Sequence, residues 1–210
     1  MLTAQYLRQK FDAALPYDRY VATGTPPQQQ SWGRIYNQCR LTPAQTALVQ
    51  SFTRRMPVLV SSGTWCGDCV QQCPLMQRIA EASSPPPLGR GPGGGTPAGT
   101  NNSPPSIDLR FLDRDEHKDL TDQIQICAGS RVPTVIFMAE DFEFCGIAGD
   151  KSLARFRALA SRQLGASCPL PGAPVDDDEL AATLQDWLND FERIHLMLRL
   201  SGRLRQKHGD

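Results

Sequence analysis

The sequence has no excess of charge of either sign, because 22 lysine and arginine residues balance 22 aspartate and glutamate residues. A chain without a net charge has no general attraction to nucleic acid or to an anionic membrane. The sequence also lacks an apolar run long enough to cross a bilayer, and residues 1–10 contain neither a basic leader nor a continuous apolar core. We therefore expect no nucleic-acid or membrane partner and a cytoplasmic location.

The cysteines lack the spacing of a disulfide framework, and their number is odd. They are Cys39, Cys66, Cys69, Cys73, Cys127, Cys145 and Cys168. Such a set is typical of a reducing compartment, in which most thiols are structural. Histidine is scarce as well, and the three histidines lie in charged helical contexts, so the sequence predicts no cysteine-histidine nucleophilic pair.

Two thiols separated by two residues, Cys66 and Cys69, follow Trp65 and a short β-branched run at residues 57–60. The run indicates a buried strand, and the residues after Cys69 place apolar side chains at helical spacing. The pair therefore lies at a helix N-terminus, whose free N–H groups and dipole stabilise a thiolate. We expect Cys66 to be the nucleophile and Cys69 to attack the mixed disulfide formed on Cys66. The expected redox group is the Cys66–Cys69 disulfide, with no metal and no other cofactor.

The apolar periodicity predicts helices and strands that alternate along the chain. We expect helices at 2–15, 43–55, 69–81, 116–126 and 151–164, and strands at 57–61, 107–112, 134–139 and 142–147. This order is typical of an α/β layered domain with helices on both faces of a mixed sheet. We place an N-terminal helical extension at 1–39, the α/β domain at 40–167 and a linker with a C-terminal helix at 168–210.

Residues 83–106 contain 13 proline or glycine residues in 24 positions. Such a tract can bury little apolar surface, so we predict a flexible surface insertion within the domain. Docking of its three consecutive prolines on a polyproline-binding partner is the alternative.

An amphipathic helix is predicted after the acidic residues at 176–178. Its apolar side chains form one stripe: Leu180, Leu184, Trp187, Leu188, Phe191, Ile194 and Leu198. This stripe either docks on the same domain or contacts a partner or a second copy of the chain.

Four local features occur in a characteristic order over residues 40–165. They are the segment Trp65-Cys66-Gly67-Asp68-Cys69, Pro74 in the following helix, the segment Val132-Pro133-Thr134 at the start of a strand, and Gly149. Together they resemble the thioredoxin superfamily. The first segment is similar to its active-site loop and the third to its cis-proline loop, which pairs with an extended substrate segment.

The resemblance implies a thioredoxin-like fold, with a central mixed sheet flanked by helices and with extra terminal helices. It also implies a thiol-disulfide oxidoreductase that acts on protein disulfides and is re-reduced by a reductase or a low-molecular-weight thiol. In addition to Cys66 and Cys69, it assigns substrate binding or tuning to Trp65, Gly67, Asp68, Val132, Pro133, Thr134 and Gly149.

Two positions depart from the thioredoxin pattern. Asp68 stands where thioredoxins have proline, and a carboxylate about 6 Å from the thiolate would raise the pKa of Cys66 by about half a unit; a plain helix-start acid is the alternative reading. Val60 stands at the position of the family's buried aspartate, and the lysine that accompanies this aspartate falls near Leu109, or near Asp108 or Arg110. The sequence therefore identifies no base for Cys69.

Two other functions remain open from the sequence. A redox-sensing or partner-binding module with little turnover would use the disulfide only to switch a contact. Alternatively, Cys73 lies one helical turn after Cys69 and could join the pair in a metal site, although no fourth ligand is visible by spacing. We interpret Cys73 as a packing cysteine instead.

Overall fold

A mixed β-sheet lies at the centre of the structure, a computed structural model that describes residues 1–84, 105–164 and 178–210. Within these residues the sheet has four strands in the order β2-β1-β3-β4. They are β1 (Met56–Ser62), β2 (Ile107–Asp113), β3 (Thr134–Met138) and β4 (Phe144–Gly149). Strand β1 pairs in parallel with β2, whereas β3 is antiparallel to both β1 and β4. The predicted α/β fold with a mixed sheet is confirmed.

Helices cover both faces of the sheet. They are α1 (Ala4–Ala13), α2 (Tyr17–Val21), α3 (Pro26–Gln38), α4 (Pro43–Gln50), α5 (Gly67–Ala82), α6 (Lys118–Thr121), α7 (Leu153–Gln163), α8 (Glu179–Leu200) and α9 (Gly202–His208). Between β1 and α7, the predicted order of helices and strands is the observed one.

Alternating side chains of β1 divide the core into two clusters. Val58 and Val60 point to the face covered by α2, α3, α5 and α8, whereas Leu59 points to the face covered by α1 and α6. All three side chains are fully buried. The sequence of β1 is a nearly continuous apolar run because both faces of the strand are covered.

The largest differences from the predicted helix bounds are in α4 and α6. Helix α4 ends at Gln50 rather than at 55, because the Thr53 N–H donates to Nε2 of His195 in α8 and not to the preceding turn. Helix α6 was predicted over 116–126 but spans only Lys118–Thr121. After Thr121 the chain continues in turns with hydrogen bonds to the third preceding residue, as from Ile124 N–H to the Thr121 carbonyl.

Helices α2 and α3 lie in the N-terminal region 1–39. The sequence predicts a helical extension there but not the bounds of these two helices. Helix α3 begins with a capping box, in which Thr25 and Gln28 bond each other's backbone N–H groups, and with proline at its first position. Trp32 on α3 and Tyr20 on α2 pack with Phe111 of β2 in the same core as the cysteine pair. The N-terminal region is thus part of the packing around the sheet.

The apolar stripe of α8 docks on the same chain. Trp187, Leu188, Phe191 and Ile194 are at most 1% exposed and pack in the core that also holds α5. Of the two predicted roles of this stripe, the structure shows docking on the same chain.

No described helix is both long and apolar enough to span a membrane. Residues 85–104 of the predicted insertion and the predicted linker around Cys168 lie outside the described residues.

Candidate active site

The cysteine loop connects the end of β1 to the start of α5. Cys66 is the N-cap residue of α5, and its carbonyl accepts the Val70 N–H at 3.0 Å. Before it, the Thr64 carbonyl accepts a 3.0 Å hydrogen bond from the buried indole N–H of Trp32 on α3. The loop is therefore fixed from both the strand side and the helix side, so that Cys66 has a defined position.

The two thiols differ in access. Cys66 is partly exposed, and its Sγ lies 3.6 Å from the carbonyl oxygen of Val132, to which it donates. Cys69, one turn into the helix, is fully buried, and so is Cys73 one turn later. All three are free thiols. Only Cys66 can meet a disulfide on a second molecule, whereas Cys69 can reach only what is attached to Cys66.

The ionisations of the Cys66 and Cys69 thiols are coupled, because each thiol shifts the pKa of the other. Interaction with the Cys69 thiol and partial burial raise the pKa of Cys66, while the backbone N–H groups of Cys69 and Asp68 act in the lowering direction. Burial raises the pKa of Cys69 well above its ordinary value. The helix N-terminus thus contributes as predicted, but in this reduced state the net shift of Cys66 is upward and not downward.

The segment from Val132 to Thr134 lies directly beside Cys66. The Val132–Pro133 peptide bond is cis, as expected from the sequence. The Thr134 hydroxyl donates to the Arg131 carbonyl at 2.7 Å, which fastens the loop at the start of β3. The loop therefore presents its backbone next to the accessible thiol.

Gly149 allows β4 to approach this loop. It pairs with Thr134 and has a positive φ of 127°, a backbone conformation that residues with a side chain rarely adopt. A Cβ at this position would lie 2.3 Å from the Pro133 carbonyl oxygen. Glycine is required here by sterics, which gives a physical reason for its place in the predicted site. Gly67 has no such constraint, since a Cβ there would meet no atom within 4 Å.

Trp65 forms the exposed edge of the cysteine loop. Its side chain is 49% exposed, and its ring lies against Gly63, where a Cβ would come within 2.8 Å of the indole. The guanidinium of Arg114 lies 4.6 Å from the ring centroid, in a cation–π arrangement. An exposed indole that is held on both sides is suited to bind a partner, because it loses little freedom on contact.

Asp68 is tied to α7 by two cations. Its carboxylate lies 2.8 Å from Nη2 of Arg155 and 3.0 Å from Nζ of Lys151. Partial burial raises the pKa of this carboxyl, but the bonds from Arg155 and Lys151 outweigh burial and lower it below its ordinary value. Asp68 is therefore ionised and paired with two cations, so that the predicted upward effect of its charge on Cys66 is offset.

Gln72 was not singled out from the sequence, yet it connects three elements behind the cysteine pair. Its fully buried amide donates to the Asp150 carbonyl at 2.9 Å and accepts from the Ser152 N–H at 2.9 Å. It also accepts from the indole N–H of Trp187 on α8 at 3.2 Å. The signal in the sequence is a polar residue three positions after Cys69, on a helix face that is otherwise apolar.

Val60 has a different neighbour on β2 from the one predicted. Val60 is fully buried, and its partner on β2 is Phe111 rather than Leu109. The charged neighbours considered as alternatives, Asp108 and Arg110, bond to other groups: Asp108 lies 2.6 Å from Arg55 and 3.5 Å from Arg110. No carboxylate therefore stands at the position where thioredoxins carry one. Among the described residues, no group of three or more His, Cys, Asp or Glu is placed to hold a metal ion.

A family model described as thioredoxin matches residues 14–85, which include β1, the cysteine loop and α5. Over these residues the chain is similar to the thioredoxin family. The match begins upstream of residue 40, where the sequence placed the domain boundary, and it ends before the cis-proline loop. The thioredoxin assignment of that loop therefore rests on its geometry beside Cys66.

Two solved structures share this thioredoxin-like fold. A protein of unknown function, PA1234 from Pseudomonas aeruginosa, is 18% identical with a TM-score of 0.61, over 88% of this chain and 93% of its own. An HIV epitope scaffold is 17% identical with a TM-score of 0.59, over 89% of this chain and 95% of its own. Comparison with curated proteins found no match. Both similarities cover most of this chain.

Proposed function

We propose that the protein is a thiol-disulfide oxidoreductase in which Cys66 forms a mixed disulfide with a substrate and Cys69 resolves it. The observation that carries the proposal is the asymmetry of the pair. Cys66 is accessible and lies 3.6 Å from the Val132 carbonyl in the cis-proline loop, whereas Cys69 is fully buried. This arrangement gives one thiol access to a second molecule and reserves the other for the intramolecular step.

The reaction is a two-step exchange. The Cys66 thiolate attacks one sulfur of a substrate disulfide, a bond forms between them, and the other substrate sulfur leaves as a thiolate that takes up a proton. Cys69 then loses its proton and attacks the Cys66 sulfur, so that the Cys66–Cys69 disulfide forms and the second substrate thiol is released. The substrate gains two electrons and two protons, and the protein is oxidised by the same number.

We infer that the substrate is a protein disulfide in an extended segment. Trp65 and the segment Val132-Pro133-Thr134 border the Cys66 thiol, and they offer an apolar ring and a backbone edge. An extended peptide can pair with such an edge while its cysteine faces Cys66. As further parts of the proposal, a reductase or a low-molecular-weight thiol restores the dithiol, and the protein acts in the cytoplasm.

Single-cysteine variants test this proposal. Cys66→Ser should abolish reduction of a disulfide-containing protein such as insulin, since no accessible nucleophile remains. Cys69→Ser should form the mixed disulfide but not release it, so that the adduct is visible by mass spectrometry without reductant. Cys127→Ser is the matched control, because Cys127 is an exposed thiol outside the site. Full turnover by Cys69→Ser without a trapped adduct would contradict the dithiol mechanism.

The reduction potential of the pair defines the direction of electron flow. It is measured by equilibration in glutathione or dithiothreitol buffers, followed by alkylation and mass spectrometry. A value near −270 mV supports a reductase of the thioredoxin kind, whereas a value above about −200 mV supports an oxidant or a sensor.

A second candidate is a redox-sensing module, and one set of contacts favours it. Arg155 bonds both Asp68 next to the cysteine pair and Glu179 at the start of α8. Formation of the disulfide could thus change how the C-terminal helix is held. Release of a bound protein on oxidation, with negligible insulin reduction, would favour the sensor over the enzyme.

A further inference from the structure

A cavity of about 410 Å³ lies where residues of α3, α5, α7 and α8 meet. Its described walls include three arginines and one carboxylate: Arg34 on α3, Arg155 and Arg162 on α7, and Glu179 at the start of α8. The volume is within the range of about 300–1,000 Å³ that is usual for sites of small molecules. Because guanidinium groups outnumber carboxylates in its walls, the cavity favours an anionic ligand.

Glu179 is shared by two of these arginines. Its carboxylate bonds Nη1 of Arg155 and lies 2.9 Å from Nη2 of Arg162. Arg155 is further engaged through Nη2, which lies 2.8 Å from the Asp68 carboxylate. Arg34 is exposed, and no ion pair among the described residues includes it. Three guanidinium groups therefore meet two carboxylates, and the positive charge of Arg34 remains for a ligand.

Two buried polar groups of residues that line the cavity have no partner in the part of the chain that the structure describes. They are Nε of Arg155 and the hydroxyl of Thr183 on α8, a residue that is only 1% exposed. A buried donor without an acceptor is costly for a fold. An acceptor oxygen supplied by a ligand would remove this cost, so these groups point to a ligand independently of the charge.

We propose that this cavity binds a small phosphate monoester, with Arg34 and Arg162 as charged donors and the Thr183 hydroxyl as a neutral donor. A phosphate group has three terminal acceptor oxygens, so it can bond donors from α3, α7 and α8 together, whereas a carboxylate has two. The volume leaves room for an organic group, which would contact the apolar wall residues Ile35 and Leu180. The proposal does not require the oxidoreductase function.

Isothermal titration calorimetry of the full chain at low ionic strength tests the proposal. The probes are glycerol 3-phosphate, inorganic phosphate and glycerate, so that the ester is compared with the bare anion and with a carboxylate on the same three-carbon skeleton. The test variants are Arg34→Gln, Arg162→Gln and Thr183→Val. Arg157→Gln is the matched control, because it removes the same charge from a partly exposed position of α7 that is not among the residues lining the cavity.

We expect saturable binding of glycerol 3-phosphate and weaker binding of both inorganic phosphate and glycerate. Arg34→Gln and Arg162→Gln should each weaken the binding of glycerol 3-phosphate about tenfold or more, because each removes a charge-assisted hydrogen bond. Thr183→Val should weaken it about fivefold and should unfold at or above the parent midpoint, since it removes only an unpaired oxygen from the unliganded protein. Arg157→Gln should stay within about twofold of the parent affinity.

Four outcomes would overturn the inference. Absence of saturable binding at millimolar glycerol 3-phosphate would exclude the site, and tighter binding of glycerate would exclude phosphate as the recognised group. Equal losses in Arg157→Gln and Arg34→Gln would indicate a general attraction of anions to the surface. Unchanged affinity in Arg162→Gln would place the ligand instead in the smaller cavity that Arg34 borders with Gln30 and Ser31.

Discussion

Asp68 shows how the setting of one residue decides what its charge does. As an isolated acid beside the thiol pair it would raise the pKa of Cys66. In the structure its carboxylate lies within 3.0 Å of both Lys151 and Arg155. The local field at the helix start is therefore a sum of opposed charges, and each can be varied separately.

Replacement of Asp68 by asparagine should lower the pKa of Cys66 by about half a unit, because one negative charge is removed and the two cations remain. The measurement is the pH dependence of Cys66 alkylation by iodoacetamide, with the labelled residue identified by mass spectrometry. Lys151→Gln is the opposite control and should raise the same pKa. Equal shifts in one direction for both variants would show that the change is structural and not electrostatic.

Gly149 and Gly67 form a matched pair for a steric test. Gly149→Ala should lower the free energy of unfolding by more than about 3 kcal/mol, since the new Cβ would overlap the Pro133 carbonyl and the positive φ would be strained. Gly67→Ala places the same methyl group in open space at the start of α5 and should change stability by less than about 0.5 kcal/mol. Urea unfolding of both variants measures the difference, and a stable Gly149→Ala protein would contradict the close approach of β4.

At the level of elements, α5 is linked by hydrogen bonds to the segment before α7 and to α8. Gln72 bonds the backbone at Asp150 and Ser152 before α7, and the indole of Trp187 on α8. Three polar groups in the core thus depend on one amide. The position of the cysteine helix relative to the C-terminal helix is set by these bonds in addition to apolar packing.

Gln72→Ala should lower the free energy of unfolding by about 3 kcal/mol, because it leaves several buried donors and acceptors without partners. Gln71→Ala is the control, since Gln71 is the preceding residue on the same helix and is partly exposed. Its effect should stay within about 0.5 kcal/mol. The two values come from chemical unfolding followed by circular dichroism, and similar losses in both variants would argue against Gln72 as the connection.

The sequence predicts those elements whose formation depends on local pattern and fails where distant contacts decide. Strand β1 and helix α5 were found within two residues of their ends, because an apolar run and helical spacing define them. Helix α4 ends early because His195, 142 residues later, captures the Thr53 N–H. The sequence marks Gln72 only as a polar residue on an apolar helix face and does not predict its three partners, since they lie 78 or more residues away. Cys66 and Cys69 could be found because their spacing and flanking residues carry the pattern.

For the whole molecule, the terminal helices belong to the same core as the sheet. Trp187 and Phe191 of α8 and Trp32 of α3 are at most 1% exposed, and all lie in the cluster that contains Cys69. The similar solved structures extend over nearly the full chain as well. The cysteine pair is therefore supported by an enlarged core, and its behaviour depends on helices at both ends of the sequence.

Removal of residues 178–210 should abolish cooperative unfolding and increase binding of an apolar dye, because the truncated protein would expose the surface that the two aromatic side chains of α8 now cover. Each buried aromatic residue removes about 150–250 Å² of apolar surface from water, which is a large part of the stability of a small domain. Calorimetry and dye fluorescence measure both effects. The matched control changes Leu196, Met197 and Leu200, which are 50%, 42% and 77% exposed, to serine. This variant should remain folded and active, since it leaves the docked face intact.

Two outcomes would contradict this prediction. A truncated protein that unfolds cooperatively at the parent midpoint would show that α8 is an appendage available to a partner. A control variant that loses a bound partner would place that contact on the exposed face of α8.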